Sequence, residues 1–202
     1  MTTFEEVCKK IFSDPGIWAK LLIGIALSFV PILNLAALGY LRIYLTQIRE
    51  TGDFALPSWK QSVVRLFMEG VYFFLIILFF ALVPLIAAFA LAWLFNAVTG
   101  GVLRALPVLW ISPLLVLSPM LVAAANYRMG PDNWRNLTDL KIILGMVAAS
   151  WRTLLIASLA LWGLSCLFAP VWGVPLFVGM LLFYPYATLV YVYLEKRGED
   201  IV

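Results

Sequence analysis

Leu21 to Arg42, LLIGIALSFVPILNLAALGYLR, is the stretch whose reading decides the fold of this 202-residue chain. A single membrane crossing here would move every later segment to the opposite side of the bilayer. A reversal at Pro31 to Asn34 would return the chain to the side it left. The charges farther along favour the reversal, so the stretch reads as a helical hairpin. The rival is one long helix from Ile17 to Glu50 with Pro31 as a kink.

Composition sets the class. The chain is 64% hydrophobic and 12% charged, with a mean hydropathy of +1.00. No water-soluble fold finds enough polar surface in such a sequence to cover itself. The apolar runs Val71 to Phe95 and Pro107 to Ala125 meet the length of roughly 20 residues that a helix needs to cross about 30 Å of hydrocarbon. Lipid offers backbone amides no partner, so these spans must be helical. Glu5, Glu6, Lys9 and Lys10 near the start, with no A-x-A pattern after the first apolar run, argue against a removable leader.

Thr3 to Ser13 places Phe4, Val7, Cys8, Ile11 and Phe12 on one side at helical spacing. That pattern predicts an amphipathic helix on the membrane surface, capped by Thr2 or Thr3 and stopped by Asp14-Pro15-Gly16. Tyr44 to Trp59 reads as polar and outside the bilayer, and Gln61 to Gly70 leads into Val71 to Phe95. Asn96 to Gly101 is a turn, and Pro107 to Ala125 returns with kinks expected at Pro113 and Pro119. Asn126 to Lys141 is a second polar segment broken at Gly130-Pro131-Asp132. Ile142 to Phe168 and Leu176 to Leu194 form the last pair around Ala169 to Pro175, and Glu195 to Val202 is a charged tail.

Basic residues concentrate in four segments: Lys9, Lys10 and Lys20; Arg42, Arg49, Lys60 and Arg65; Arg128, Arg135, Lys141 and Arg152; Lys196 and Arg197. Only Arg104 lies near the other turns. The positive-inside rule assigns the four segments to the cytoplasm, which requires each apolar unit between them to enter and come back. Tryptophan, which favours both interfaces, divides the same way. Trp18, Trp59, Trp134 and Trp151 fall at the inner boundary and Trp93, Trp110, Trp162 and Trp172 near the outer turns.

The expected architecture is therefore an all-α polytopic membrane protein forming one integral membrane domain over residues 1–202. It comprises an amphipathic surface helix (1–16) and three helical hairpins (17–50, 60–129 and 140–195), about six membrane helices in all. The arms of the first hairpin are about 21 Å long at 1.5 Å per residue, short of the bilayer, so it is short or re-entrant. A loose internal repeat agrees: Pro31 leads to Tyr40 and Arg42, Pro119 to Tyr127 and Arg128, and Pro185 to Tyr193, Lys196 and Arg197.

The chain has no histidine, which removes the commonest general base and metal ligand. Cys8 and Cys166 are not spaced for zinc and read as small apolar fillers. No phosphate-cradling glycine loop, dinucleotide fingerprint or nucleophile elbow occurs. The reading is no enzyme, no catalytic residue, no metal and no cofactor. Nucleic acid as a partner finds no support in a net charge of only +3. Arg42, Glu69, Arg65 and Arg152 are the charges nearest the membrane and the candidate functional or inter-helix groups, since an embedded charge needs a partner or a wet cavity. Glu69, one turn from Arg65, also comes within reach of Arg42. Arg152 is ambiguous: deep inside if its helix starts at Ile142, snorkelling if it starts at Thr153, and the second is preferred. Small residues Gly24, Ala26, Ser28, Ala36, Ala37 and Gly39 suit close helix packing.

W-x-K-L-L-I-G at Trp18 to Gly24, G-Y-L-R at Gly39 to Arg42, L-P-x-W at Leu56 to Trp59 and E-G at Glu69-Gly70 form a series that resembles the prokaryotic membrane proteins of domain-of-unknown-function family 4013. The resemblance covers the first half of the chain; the second half matches only in hydropathy. It implies a multi-pass membrane protein and carries no activity or site residue. The expected function is a non-catalytic accessory, scaffold or assembly subunit of a larger membrane complex in the cytoplasmic (inner) membrane, with both termini cytoplasmic. Its partners would be membrane lipids and other membrane subunits or itself. The alternative is a small transporter, channel or lipid-handling protein.

Overall fold

A computed structural model describes residues 3–103, 105–130 and 134–197. Arg104, Pro131, Asp132 and the side chain of Trp134, all used above, lie outside them. Among the described residues the protein is all-helical: α1 (Phe4–Phe12), α2 (Ile17–Ser28), α3 (Pro31–Thr51), α4 (Val63–Ile77), α5 (Val83–Val98), α6 (Val108–Met129), α7 (Leu140–Leu167) and α8 (Met180–Lys196). A π-turn, Leu78–Leu82, joins α4 to α5, and another, Pro175–Gly179, leads into α8. Four helical stretches are long and apolar enough to cross a membrane: Val63–Val98, Val108–Met129, Leu140–Leu167 and Pro175–Lys196.

Local chemistry explains the helix ends. Thr3 Oγ1 accepts from the Glu6 amide at 3.3 Å while Glu6 Oε2 accepts from the Thr3 amide at 3.0 Å, so α1 starts in a reciprocal cap. Gly16 adopts φ +84°, a left-handed conformation open to glycine at no steric cost, and α2 leaves α1 at 99°. Val7 and Ile11 of α1 are buried, and Phe4 meets the Tyr186 ring of α8 edge-on at 5.4 Å. The apolar stripe of α1 thus rests on protein.

Pro31 is the first residue of α3, where its missing amide costs nothing. The break therefore falls at Phe29 and Val30, ahead of the expected Pro31 to Asn34. α3 then runs back beside α2, because the residues after it return to the start of α2: Lys20 Nζ donates to the Leu56 carbonyl at 2.8 Å and Trp59 Nε1 to the Lys20 carbonyl at 3.3 Å. The single kinked helix from Ile17 to Glu50 is thereby excluded. The two arms are unequal, 12 residues against 21. Asn34 is half-buried, with its Oδ1 covered and without a partner.

Several sequence boundaries shift. Tyr44 to Thr51 is helical rather than loop, and Tyr44, Leu45 and Ile48 are buried, because the flanking polar residues Gln47, Glu50 and Thr51 turn outward while this apolar face packs. Gln61 to Gly70 is likewise mostly α4, so the second apolar unit begins with a helical stretch of 36 residues. α7 starts at Leu140, not at Thr153. Arg152 thus sits 12 residues, about 18 Å, into the helix, exposed and with its guanidinium 5.5 Å from the Trp151 ring. Glu195 belongs to α8 rather than to a free tail.

One contiguous apolar core draws on α1 to α4 and α6 to α8. α5 buries only Ala88 and Ala92. The most apolar window of Val63–Val98 is 11% buried, against 61% for that of Pro175–Lys196: one helix runs along the outside while another forms the axis. Pro113 and Pro119 lie inside α6 and Pro185 inside α8. Of the tryptophans expected at the interfaces, Trp18, Trp93, Trp151 and Trp172 are exposed. Trp59 instead stacks on Tyr40 at 4.0 Å, and Trp162 donates to the Leu115 carbonyl at 2.6 Å. Their indoles satisfy the protein itself.

Candidate functional site

The site begins with two glycines. Gly39 on α3 and Gly70 on α4 meet so closely that a Cβ on Gly39 would lie 2.8 Å from the Gly70 nitrogen and collide with the Leu66 carbonyl oxygen. Backbone-to-backbone approach of this kind needs small residues. It also brings together the side chains next to the glycines, Arg42 one turn on and Glu69 one residue before.

Arg42 is 1% exposed and the largest fully buried side chain among the described residues. Its Nη1 pairs with Glu69 Oε2, its Nη2 donates to the Gly130 carbonyl at 2.9 Å and approaches the Met129 sulfur at 3.7 Å, and its guanidinium lies 5.2 Å from the Tyr72 ring. A buried charge is tolerable only with a partner and further hydrogen bonds. Here α3 supplies the cation, α4 the carboxylate and the end of α6 the carbonyl. The planar fork of arginine suits such divergent acceptors in a way a lysine would not.

A second node lies two turns along α3. Arg49 donates to the Tyr127 carbonyl at 2.7 Å and sits 4.4 Å from the centre of that ring. The Tyr127 hydroxyl in turn donates to Glu195 at the end of α8. The hollow beside it, lined by Arg49, Asn126, Tyr127 and Gly130, has a volume of about 10 Å³, room for one water at most. Asn126 Oδ1 is buried without a protein partner there.

A third node holds the N-terminal part. Asp14, whose side chain is only 6% exposed, accepts from Lys20 Nζ at 2.8 Å and from the Leu56 amide at 2.8 Å. The turn between α1 and α2 is thus tied to the segment between α3 and α4.

Of the four candidate charges, the structure brings together Arg42 and Glu69. Arg65 is exposed and in no ion pair among the described residues, and Arg152 lies elsewhere on α7. Sequence reasoning missed Tyr72, Met129, Gly130, Arg49, Tyr127, Glu195 and Asp14. One signal was available: Arg42 and Arg49 are seven residues apart and so share a face of α3. Backbone carbonyls such as that of Gly130 leave no trace in residue type.

The polar groups of these nodes bind one another, and no group of three metal-ligating side chains exists among the described residues. Cys8 and Cys166 are both free. Burial, helped by the neighbouring Glu5 carboxylate and opposed by a backbone hydrogen bond, pushes the Cys8 thiol up. Away from the nodes, an apolar cavity of about 300 Å³ lies where the helix breaks converge, lined by Ile77, Leu85, Pro119, Trp162, Pro175 and Met180 among others.

No family model, no curated protein and no solved structure matches the chain.

Proposed function

We propose that this is a non-catalytic integral membrane protein, an accessory or assembly subunit that packs sideways against other membrane proteins. The observation that carries the reading is the bare α4–α5 helix, with 36 residues and only 11% of its most apolar window buried. Val83, Ile86, Leu91, Trp93 and Leu94 all project outward from it. The membrane arrangement in this reading is three hairpins with α1 along the inner surface and both termini in the cytoplasm, because Lys9, Lys10, Lys60, Arg65, Arg135, Lys141 and Lys196 share one side by the positive-inside rule. Arg152, about 18 Å into α7, then lies within the span beside the Trp151 ring. The resemblance to family 4013 fits this reading and adds no activity.

Photo-crosslinking amino acids at Ile86 and Leu91 in native membranes test it. The expected result is a discrete protein adduct from these positions and none from Ile156, which is at least as exposed on α7. Lipid-only adducts from all three would end the proposal.

A lipid-handling role is the second reading, favoured by the apolar cavity at the converging helix breaks. Liposomes containing the protein would scramble labelled lipids faster than protein-free ones, and Leu85→Trp, which narrows the cavity, would slow them. Unchanged scrambling would remove this reading.

A further inference from the structure

A larger apolar groove lies on the other flank of the α4–α5 break. It has a volume of about 780 Å³ and is walled by Phe79, Phe80 and Pro84 at the break, Leu121 on α6, and Leu140 and Leu144 on α7. Ligand sites range from about 300 to 1,000 Å³. Leu137 and Thr138 also line it, and the neighbouring chain carries Arg135 and, at the start of α7, Lys141. Both cations are exposed. Arg128, at the end of α6, accepts on its carbonyl from Asn136 at 3.1 Å, which holds that segment against α6, and its own Nε is buried without a partner. Among the described residues 134–141, Asp139 is the one acid. Leu121 stands eight residues, about 12 Å, from Met129 along α6. The lining residues Leu137 and Leu140 are thus flanked in the chain by the exposed cations Arg135 and Lys141, while Leu121 and Ile143 carry the groove toward the apolar middle of the bundle.

Apolar depth beneath a positive rim matches one class of molecule. We propose that this groove holds an acyl chain of an anionic diacyl phospholipid, with the headgroup phosphate on Arg135 and Lys141. The walls supply hydrocarbon contact and no free donor is needed within, while the rim supplies the charge that separates an anionic from a zwitterionic headgroup. The inference depends on the membrane reading but not on the accessory role, whose crosslinking test it leaves untouched.

Native mass spectrometry of the full chain released from detergent reads the result. Dioleoyl phosphatidylglycerol should bind roughly fivefold more tightly than dioleoyl phosphatidylcholine, from about 1 kcal/mol for each of Arg135 and Lys141 less the Asp139 offset. Arg135→Glu with Lys141→Glu should abolish the preference while leaving weak binding of both lipids. Leu144→Trp, at an exposed wall position, should weaken both, and Ile86→Trp on α5 should weaken neither. Leu140→Phe repeats the wall test should Leu144→Trp prove unfolded by circular dichroism. Glycerol phosphate, a headgroup without chains, should not displace the lipid. Equal binding of the two lipids to the unaltered protein, adducts unchanged by wall substitution, or displacement by glycerol phosphate would each overturn the proposal.

Discussion

Gly39 and Gly70 share a point of contact at which neither tolerates a side chain. A Cβ on Gly39 would meet the Leu66 carbonyl oxygen, and one on Gly70 the Leu35 carbonyl oxygen, with the Gly39 nitrogen 3.1 Å away. Both obstacles are backbone, so they yield only if the helices move apart. The Arg42 to Glu69 pair next to them depends on that closeness.

Gly39→Ala and Gly70→Ala should each destabilise the protein by about 1–3 kcal/mol, the usual cost of overpacking. Gly163→Ala, on α7 with nothing within 4 Å of the added carbon, should be neutral or stabilising by up to about 1 kcal/mol, as for alanine in a helix interior. Thermal unfolding in one detergent separates the two groups. Equal Tm values for all three variants would contradict the crossing.

Arg42→Met leaves the Glu69 carboxylate facing an apolar wall, and Glu69→Gln leaves the guanidinium short of its counter-ion. Breaking a buried pair from one side costs about 3–5 kcal/mol; the cost here falls toward the lower end, because the Glu69 side chain is 24% exposed. The double replacement Arg42→Met with Glu69→Met should recover part of the loss. Unfolding midpoints in SDS titration test the cycle, and strictly additive losses would show that the two groups do not interact.

Asp14→Ala removes the acceptor of two hydrogen bonds, from Lys20 and from the Leu56 amide, and strands a backbone amide. Lys20→Ala removes donors alone. Limited proteolysis between α3 and α4 should therefore accelerate more in Asp14→Ala than in Lys20→Ala. The reverse order would mean that the lysine, not the carboxylate, organises the turn.

The native cysteines report topology without further substitution. Cys166 is exposed at the end of α7 and Cys8 is half-covered on α1, so the three-hairpin arrangement puts them on opposite faces. An impermeant maleimide added outside intact cells should label Cys166 and spare Cys8. Because burial holds the Cys8 thiol above its ordinary value, its labelling in opened membranes should be slower than that of an exposed thiol at neutral pH. It should rise only at more alkaline pH, since the thiolate is the reactive form. Outside labelling of Cys8 would reverse the orientation.

Class, helix content and the approximate spans were legible in the chain itself, since a composition 64% hydrophobic leaves few physical alternatives and backbone in lipid must be helical. The reversal near Pro31 was legible too, from proline chemistry and charge placement together. What the residues alone left undecided is where helices continue past polar positions. Thr46, Gln47 and Arg49 look like loop, yet tertiary packing on the opposite face of α3 keeps them helical. Likewise Arg42 and Glu69 stood out as charges in an apolar setting, but their acceptors at Gly130, and the second node of Arg49, Tyr127 and Glu195, join groups up to 146 positions apart in the numbering. Local pattern reads what each residue prefers; only the close approach of α3, α4, α6 and α8 decides which preferences are met, because hydrogen bonds and Cβ clashes act over a few ångströms of space and not along the chain.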